Sequence, residues 1–174
     1  MKIWKKIKEK KVYDGYRKII RKTFLLPNGL ERDFDIVSGE HAVGVVALTP
    51  RKEVLLVQQF RPGTEQIYDE LPAGIIEKDE EPLAAAKREL LEETGYTGDF
   101  EFVAACVDDA YRSTIRYCFV AKNCHKIKEP QQDETEFIDI ITKTLEEFKS
   151  QIRSGKLTDV ELAYLGLDYL KLLS

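Results

Sequence analysis

The stretch that most limits how this chain can fold runs from Gly74 to Tyr96. Its residues from Pro82 to Thr94 suit one helix: proline is favoured at a first helical position, Ala84, Ala85 and Ala86 have high helix propensity, and Gly95 offers a left-handed stop. In such a helix Glu89, Glu92 and Glu93 stand at i, i+3 and i+4, and their carboxylates project side by side with Cβ atoms about 5–6 Å apart. At roughly 5 Å between charges and an effective dielectric of about 20, each like pair costs on the order of 3 kcal/mol. A divalent, oxygen-seeking cation such as Mg²⁺ reverses the sign of that cost, and a few carboxylates plus substrate phosphates are its usual ligands. The plainer alternative is a solvated acidic face on which Arg88 pairs with Glu92. The neighbours favour the cation. On a helical wheel Leu83 and Leu90 lie to one side of the acids and Ala84 and Leu91 to the other, with Ala85 and Ala86 between. The helix is therefore expected to be embedded, with its acids facing a cleft.

Gly74, Glu80, Arg88, Glu89, Leu90, Glu92, Glu93 and Gly95 fall in register with G-x5-E-x7-R-E-U-x-E-E-x-G-U, where U is a bulky aliphatic residue. The stretch resembles the Nudix box and departs from it only at the aromatic Tyr96. The flanks Gln58-Gln59-Phe60-Arg61 and Glu70-Leu71-Pro72-Ala73, with the Leu26-Pro27-Asn28-Gly29 turn, resemble the ADP-ribose pyrophosphatase branch of that superfamily. The resemblance implies an α/β (α+β) fold, the Nudix α/β/α sandwich with a mixed central sheet and an N-terminal antiparallel β-hairpin. It also implies a Mg²⁺-dependent pyrophosphohydrolase, with Mn²⁺ as substitute, that cleaves a nucleoside diphosphate sugar into a nucleoside monophosphate and a sugar phosphate.

Residue by residue, it assigns metal ligation to the Ala73 carbonyl, Glu89, Glu92, Glu93 and Glu136. Glu134 becomes the general base, Glu92 shares in catalysis, and Arg88 orients the glutamates. Arg61 matches an arginine that contacts substrate phosphates, which suits a planar bidentate donor; a surface salt bridge is the equal alternative. Gly74 also has its own physical reason, because a glycine at a strand end lets the backbone approach a ligand without a Cβ in the way. Asp79, Glu80 and Glu81 precede the helix, where acids are favoured by the dipole, so capping explains that cluster as well.

In the loop from Asp108 to Thr114, Tyr111 offers a stacking face and Arg112 a phosphate partner, or both are plain surface residues. Many ADP-ribose pyrophosphatases carry a Ser-Pro-Gly element near here, and this chain has Ala110-Tyr111 instead. The substrate is thus left open among nucleoside diphosphate derivatives. Triphosphates and dinucleotides are the alternatives, and a non-catalytic nucleotide-sugar sensor is the reading of another class.

With 174 residues and 43% apolar content the chain suits one ordinary domain. Residues 1–40 read as a hairpin extension that the resemblance places at a homodimer interface, and residues 41–174 as the Nudix hydrolase domain. The net charge of −4 and pI near 5.4 disfavour a general nucleic-acid binder. Neither a secretory apolar region nor a membrane span is expected. Cys106, Cys118 and Cys124 lack a C-x-x-C spacing, so neither a disulfide framework nor a zinc site is indicated, and a reducing cytoplasm is expected.

Met1 to Lys11 reads as a solvated basic lead-in, and Val12 to Leu26 with Glu31 to Val37 as the hairpin. Ala42–Leu48 and Val54–Phe60 read as buried strands, Phe100–Val107, Ile115–Lys122 and Phe137–Ile141 as further strands. His41 reads as structural. Thr144-Leu145-Glu146-Glu147 and Thr158-Asp159-Val160-Glu161 each read as a capping box, and Leu162, Leu165, Tyr169 and Leu172 or Leu173 as the apolar face of the last helix.

Overall fold

The computed structural model describes residues 1–131 and 137–173. They fall into two compact units, residues 1–41 with 107–115 and residues 42–106 with 116–174.

The first unit is an antiparallel sheet of β1 (Lys5–Asp14), β2 (Lys18–Leu25) and β3 (Glu31–Ser38), in that order. The expected hairpin is β2–β3, turned where Gly29 takes φ 81° and Asn28 Oδ1 accepts the Leu30 N–H at 3.1 Å. The basic lead-in is a correction, because Lys5 onward is a strand and Val12 and Tyr13 belong to it. Every residue of β1 is exposed on a sheet edge, where lysines are favoured because they discourage further strand pairing. Glu9 and Asp14 pair with Lys6 and Lys11 along it. Trp4 packs on Phe24 and Phe34, with ring centroids 6.4 and 5.7 Å away. His41 Nδ1 accepts the Ile115 N–H at 2.9 Å, the structural role expected of it.

The second unit is built on a mixed sheet of β4 (Ala42–Leu48), β5 (Val54–Arg61), β6 (Gln66–Glu70), β7 (Ala73–Ile75), β8 (Tyr96–Val107), β9 (Ile115–Lys126) and β10 (Ile138–Lys143). The path is β10-β5-β4-β9-β8, with β6 paired to β5 and β7 to β4. β4 runs parallel to β9 and antiparallel to β5 and β7. The short strand β6 was not foreseen, since it carries no clear apolar alternation; β7 is the strand expected at Gly74, which lies at its centre rather than its end.

The unbroken apolar runs of β4 and β5 follow from burial on both faces. Val43, Val45, Ala47 and Leu55 pack with Ala85, Ala86 and Leu90 of helix α1 (Pro82–Thr94). Val46, Leu48, Val54 and Leu56 pack with helices α2 (Leu145–Ser154) and α3 (Val160–Tyr169) through Phe148, Ile152, Leu162 and Leu167. Fully burying each of the valine, leucine, isoleucine and phenylalanine side chains contributes about 1.5–3 kcal/mol.

The Thr144 capping box forms as expected: Thr144 Oγ1 accepts the Glu147 N–H at 3.3 Å and Glu147 accepts the Thr144 N–H at 2.8 Å. The one expected at Thr158 does not. Asp159 is the N-cap and makes no side-chain cap bond, because Arg116 claims both Asp159 and Glu161. The buried stripe of α3 also differs from expectation: Leu162, Ala163, Gly166 and Leu167 are buried, while Leu165 and Tyr169 are exposed. A Cβ at Gly166 would lie 2.5 Å from Val46 Cγ2, so small residues let the helix approach β4 and turn the larger ones outward.

Candidate active site

Helix α1 starts and stops where its residues dictate, with Pro82 in its first turn and Gly95 at φ 76°. Its buried stripe is Ala85, Ala86, Leu90, Glu93 and Thr94, whereas Leu83 and Ala84 are exposed. The embedding is therefore narrower than the helical wheel suggests. Small alanines set it by bringing the helix against β4 and β7.

Arg88 organises the acids. Its Nη1 donates to Glu89 at 2.8 Å and to Glu92 at 3.1 Å. Nε and Nη2 grip Glu80 at 3.0 and 2.9 Å, and Nη2 also donates to the Ile75 carbonyl at 2.9 Å. One guanidinium thus gathers three carboxylates and a strand carbonyl, which offsets the repulsion expected along the face. The hydrogen bonds it donates to Glu80 raise the guanidinium's pKa further above its usual value despite burial. The same contact from Arg88, against an opposing burial effect, holds Glu80 below its ordinary 4.5. Capping does not explain Glu80 or Glu81. Glu81 is the N-cap without a side-chain bond, and Glu80 turns back to Arg88 and to the Glu77 N–H at 2.9 Å.

Glu93 points inward and is 5% exposed. It accepts the Ala73 N–H at 3.0 Å, which gives the buried carboxylate a polar partner and ties α1 to β7. On the same strand, a Cβ at Gly74 would stand 2.0 Å from Glu89 Oε1. The Glu89 carboxylate therefore lies directly on the β7 backbone, in the space that a Cβ at residue 74 would take. Ala73, Glu89, Glu92, Glu93 and Arg88 are brought together at this junction of α1 and β7.

Arg61 lies on the same face of the sheet. Strand alternation sends Leu55 to the α1 side and Leu56 to the α2 side, so Gln59 and Arg61 face α1. Glu70, fully buried, accepts Arg61 Nε at 2.8 Å and Nη2 at 2.5 Å and Gln59 Nε2 at 3.0 Å. The salt-bridge alternative for Arg61 is thus present, yet its side chain is 45% exposed and keeps donors that Glu70 does not use. Glu70 and Gln59 figure in the sequence only as members of the flanking segments; contacts nine and eleven residues apart across a hairpin leave no periodic signal.

Tyr111 and Arg112 belong to the other unit. Tyr111 stacks on Phe34 at 6.5 Å, its carbonyl accepts the Val37 N–H at 2.9 Å, and Arg112 reaches Asp108 at 3.7 Å. Glu134 and Glu136 lie outside the described residues.

Among the described residues, no three His, Cys, Asp or Glu side chains are arranged as a metal site, since Arg88 holds Glu89 and Glu92. The donors themselves are carboxylates beside a strand backbone, an all-oxygen set suited to a hard divalent cation such as Mg²⁺.

A mixed sheet between helices, with an acidic helix face laid on the Gly74 strand, defines the class. Residues 40–160 match the family model of the NUDIX domain. The chain belongs to the Nudix family and is a pyrophosphohydrolase of that family. It is 36% identical over 150 residues to an ADP-ribose pyrophosphatase of Bacillus subtilis, a match covering 84% of this chain and 80% of that one. It is 35% identical, with the same coverage, to a methanol dehydrogenase activator of Bacillus methanolicus. In fold it resembles the crystal structure of an ADP compounds hydrolase, with a TM-score of 0.85 at 20% identity over 98% of this chain and 96% of that one. Among the described residues, no helix is long and apolar enough to cross a membrane.

Proposed function

We propose that the protein hydrolyses the pyrophosphate bond of a nucleoside diphosphate sugar, ADP-ribose or a close relative, in a Mg²⁺-dependent reaction. The products are a nucleoside monophosphate and a sugar phosphate. The observation that carries this reading is the Glu89 carboxylate seated where a Cβ at Gly74 would stand, with Glu93 bonded to the Ala73 N–H on the same strand.

Glu89, Glu92, Glu93 and the Ala73 carbonyl would hold the cation, joined by Glu136. Bound there, it would neutralise the diphosphate and lower the pKa of an attacking water. Arg88 keeps Glu89 and Glu92 together and fixes their orientation through Glu80 and Ile75. Glu134 takes the proton of the attacking water. Arg61 presents its unused donors to substrate phosphate oxygens. Residues 1–40 contribute to a homodimer, and the enzyme works in the cytoplasm.

The test is product analysis on ADP-ribose, other nucleotide sugars, dinucleotides and triphosphates, with Mg²⁺, with Mn²⁺ and with chelator. We expect turnover of nucleotide sugars only with metal. Glu93→Gln should reduce it by more than about 100-fold, beyond the 10–100-fold typical of residues one layer outside a metal's ligands. Tight binding of a nucleotide sugar without turnover would refute the reading in favour of a sensor.

A further inference from the structure

Asp69 and Glu70 are neighbours on β6 and point to opposite faces of the sheet. On the α1 face Glu70 grips Arg61. On the other face a separate polar cluster surrounds Asp69. Its carboxylate accepts Lys143 Nζ and Gln58 Nε2, each at 2.7 Å. Its carbonyl accepts Gln151 Nε2 at 2.8 Å, and Gln151 Oε1 accepts Lys143 Nζ at 2.6 Å. Strand β5, strand β10 and helix α2 thus all fasten one residue of β6, within the wall of an open cleft of about 780 Å³.

β6 needs such a fastening. Among the described residues it pairs with β5 alone, off the main strand path, and most of its residues are exposed or half-buried, so little apolar burial fixes its end. Glu70 can aim Arg61 only if the backbone carrying it is fixed. A buried carboxylate whose hydrogen-bond partners are held in place orients a guanidinium with little loss of freedom. Two of the five guanidinium N–H groups serve Glu70, and the outward donors remain for a ligand.

We propose that Asp69, Lys143 and Gln151, on the face of the sheet away from the box, are positioning residues that set the direction of Arg61 through Glu70 and thereby tune the affinity for the substrate's phosphates. This rests on the reading of Arg61 as a substrate contact.

Two measurements test it. In steady-state kinetics on the nucleotide sugar turned over by wild type, Asp69→Asn and Lys143→Met should each raise KM about 3- to 10-fold, the effect of a lost or misdirected hydrogen bond, with kcat changed less than about twofold. Lys143→Arg should restore KM. In an Arg61→Ala background the same substitutions should have no further effect on KM; an equal rise there overturns the proposal. The second readout needs no activity. The Arg61 Nε–Hε resonance, protected by Glu70 in wild type, should exchange with solvent faster in Lys143→Met at unchanged melting temperature. If that exchange is unaltered, the fastening does not reach Arg61 and the proposal fails. If Arg61→Ala leaves KM unchanged while Nε–Hε exchange still responds to Lys143→Met, the positioning of Arg61 stands and the substrate-contact reading is what fails.

Discussion

Two arginines gather acids in the second unit and use them differently. Arg88 draws together Glu80, Glu89 and Glu92 around its own helix and the preceding loop, and its side chain is 24% exposed. Arg116 reaches from β9 to Asp159 and Glu161 at the start of α3, with 16% of its side chain exposed. The first cluster lies beside Gly74, with Glu92 42% exposed. The second closes a helix onto the sheet, and Asp159 is buried. The same ion-pair chemistry is therefore expected to serve function in one place and stability in the other.

The strongest way to break this contrast is to remove each guanidinium. Arg88→Met should lower kcat/KM by about 10- to 100-fold and cost less stability than the loss of Arg116, because its carboxylates stand partly in solvent. Arg116→Met leaves a buried carboxylate unpaired and should destabilise the fold by on the order of 3 kcal/mol, the low end for a buried pair because the site is not fully dry. Equal losses of stability in the two variants, by urea titration, would abolish the distinction.

Glycines sharpen it at the next level. Gly166→Ala drives a Cβ into Val46 and should cost about 1–3 kcal/mol as overpacking. Gly74→Ala meets the far end of a flexible side chain, Glu89. That carboxylate can swing away, so activity should fall about 10-fold or more, as for a disturbed metal environment, with a smaller change in melting temperature.

Acid pH acts on the Arg88 cluster more gently. Because Glu80 lies below its ordinary 4.5 when folded, its ion pair contributes stability above that value, and the contribution is lost as pH falls through the lower folded value. Melting curves should therefore separate wild type from Glu80→Gln at neutral pH and converge well below pH 4.5.

The smallest signal is chemical. Burial pushes the Cys118 thiol up to about 12, and its Sγ donates to the Leu162 carbonyl of α3 at 3.4 Å. Alkylation of Cys118 near pH 8 should be slow in wild type and in Arg88→Met, and faster in Arg116→Met. Mass spectrometry of labelled peptides distinguishes these outcomes.

Local chemistry was legible in the sequence where it settles the matter alone. Pro82 and Gly95 bound α1, the Thr144 box starts α2, and the apolar runs at 42–48 and 54–60 give the central strands. Readings failed where a distant residue competes for a local one. Arg116 lies 43 residues from Asp159 and removes it from capping. They also failed where size rather than polarity decides, as on α3, whose buried stripe is set by Gly166. In the candidate site, the grouping of Glu89, Glu92 and Glu93 follows from helical spacing. Arg88 as the hub of three carboxylates does not, because i, i+4 pairing anticipates only Glu92.

The packing of Trp4 against Phe24 and Phe34 has an optical meaning. The chain has a single tryptophan, and it sits in the sheet of β1, β2 and β3. Its fluorescence therefore reports that sheet alone, while the far-ultraviolet dichroism at 222 nm, dominated by helix, reports α1, α2 and α3. Melting followed by the two signals gives each unit its own curve, and coincidence of the curves becomes a direct measure of whether the two units unfold as one cooperative body.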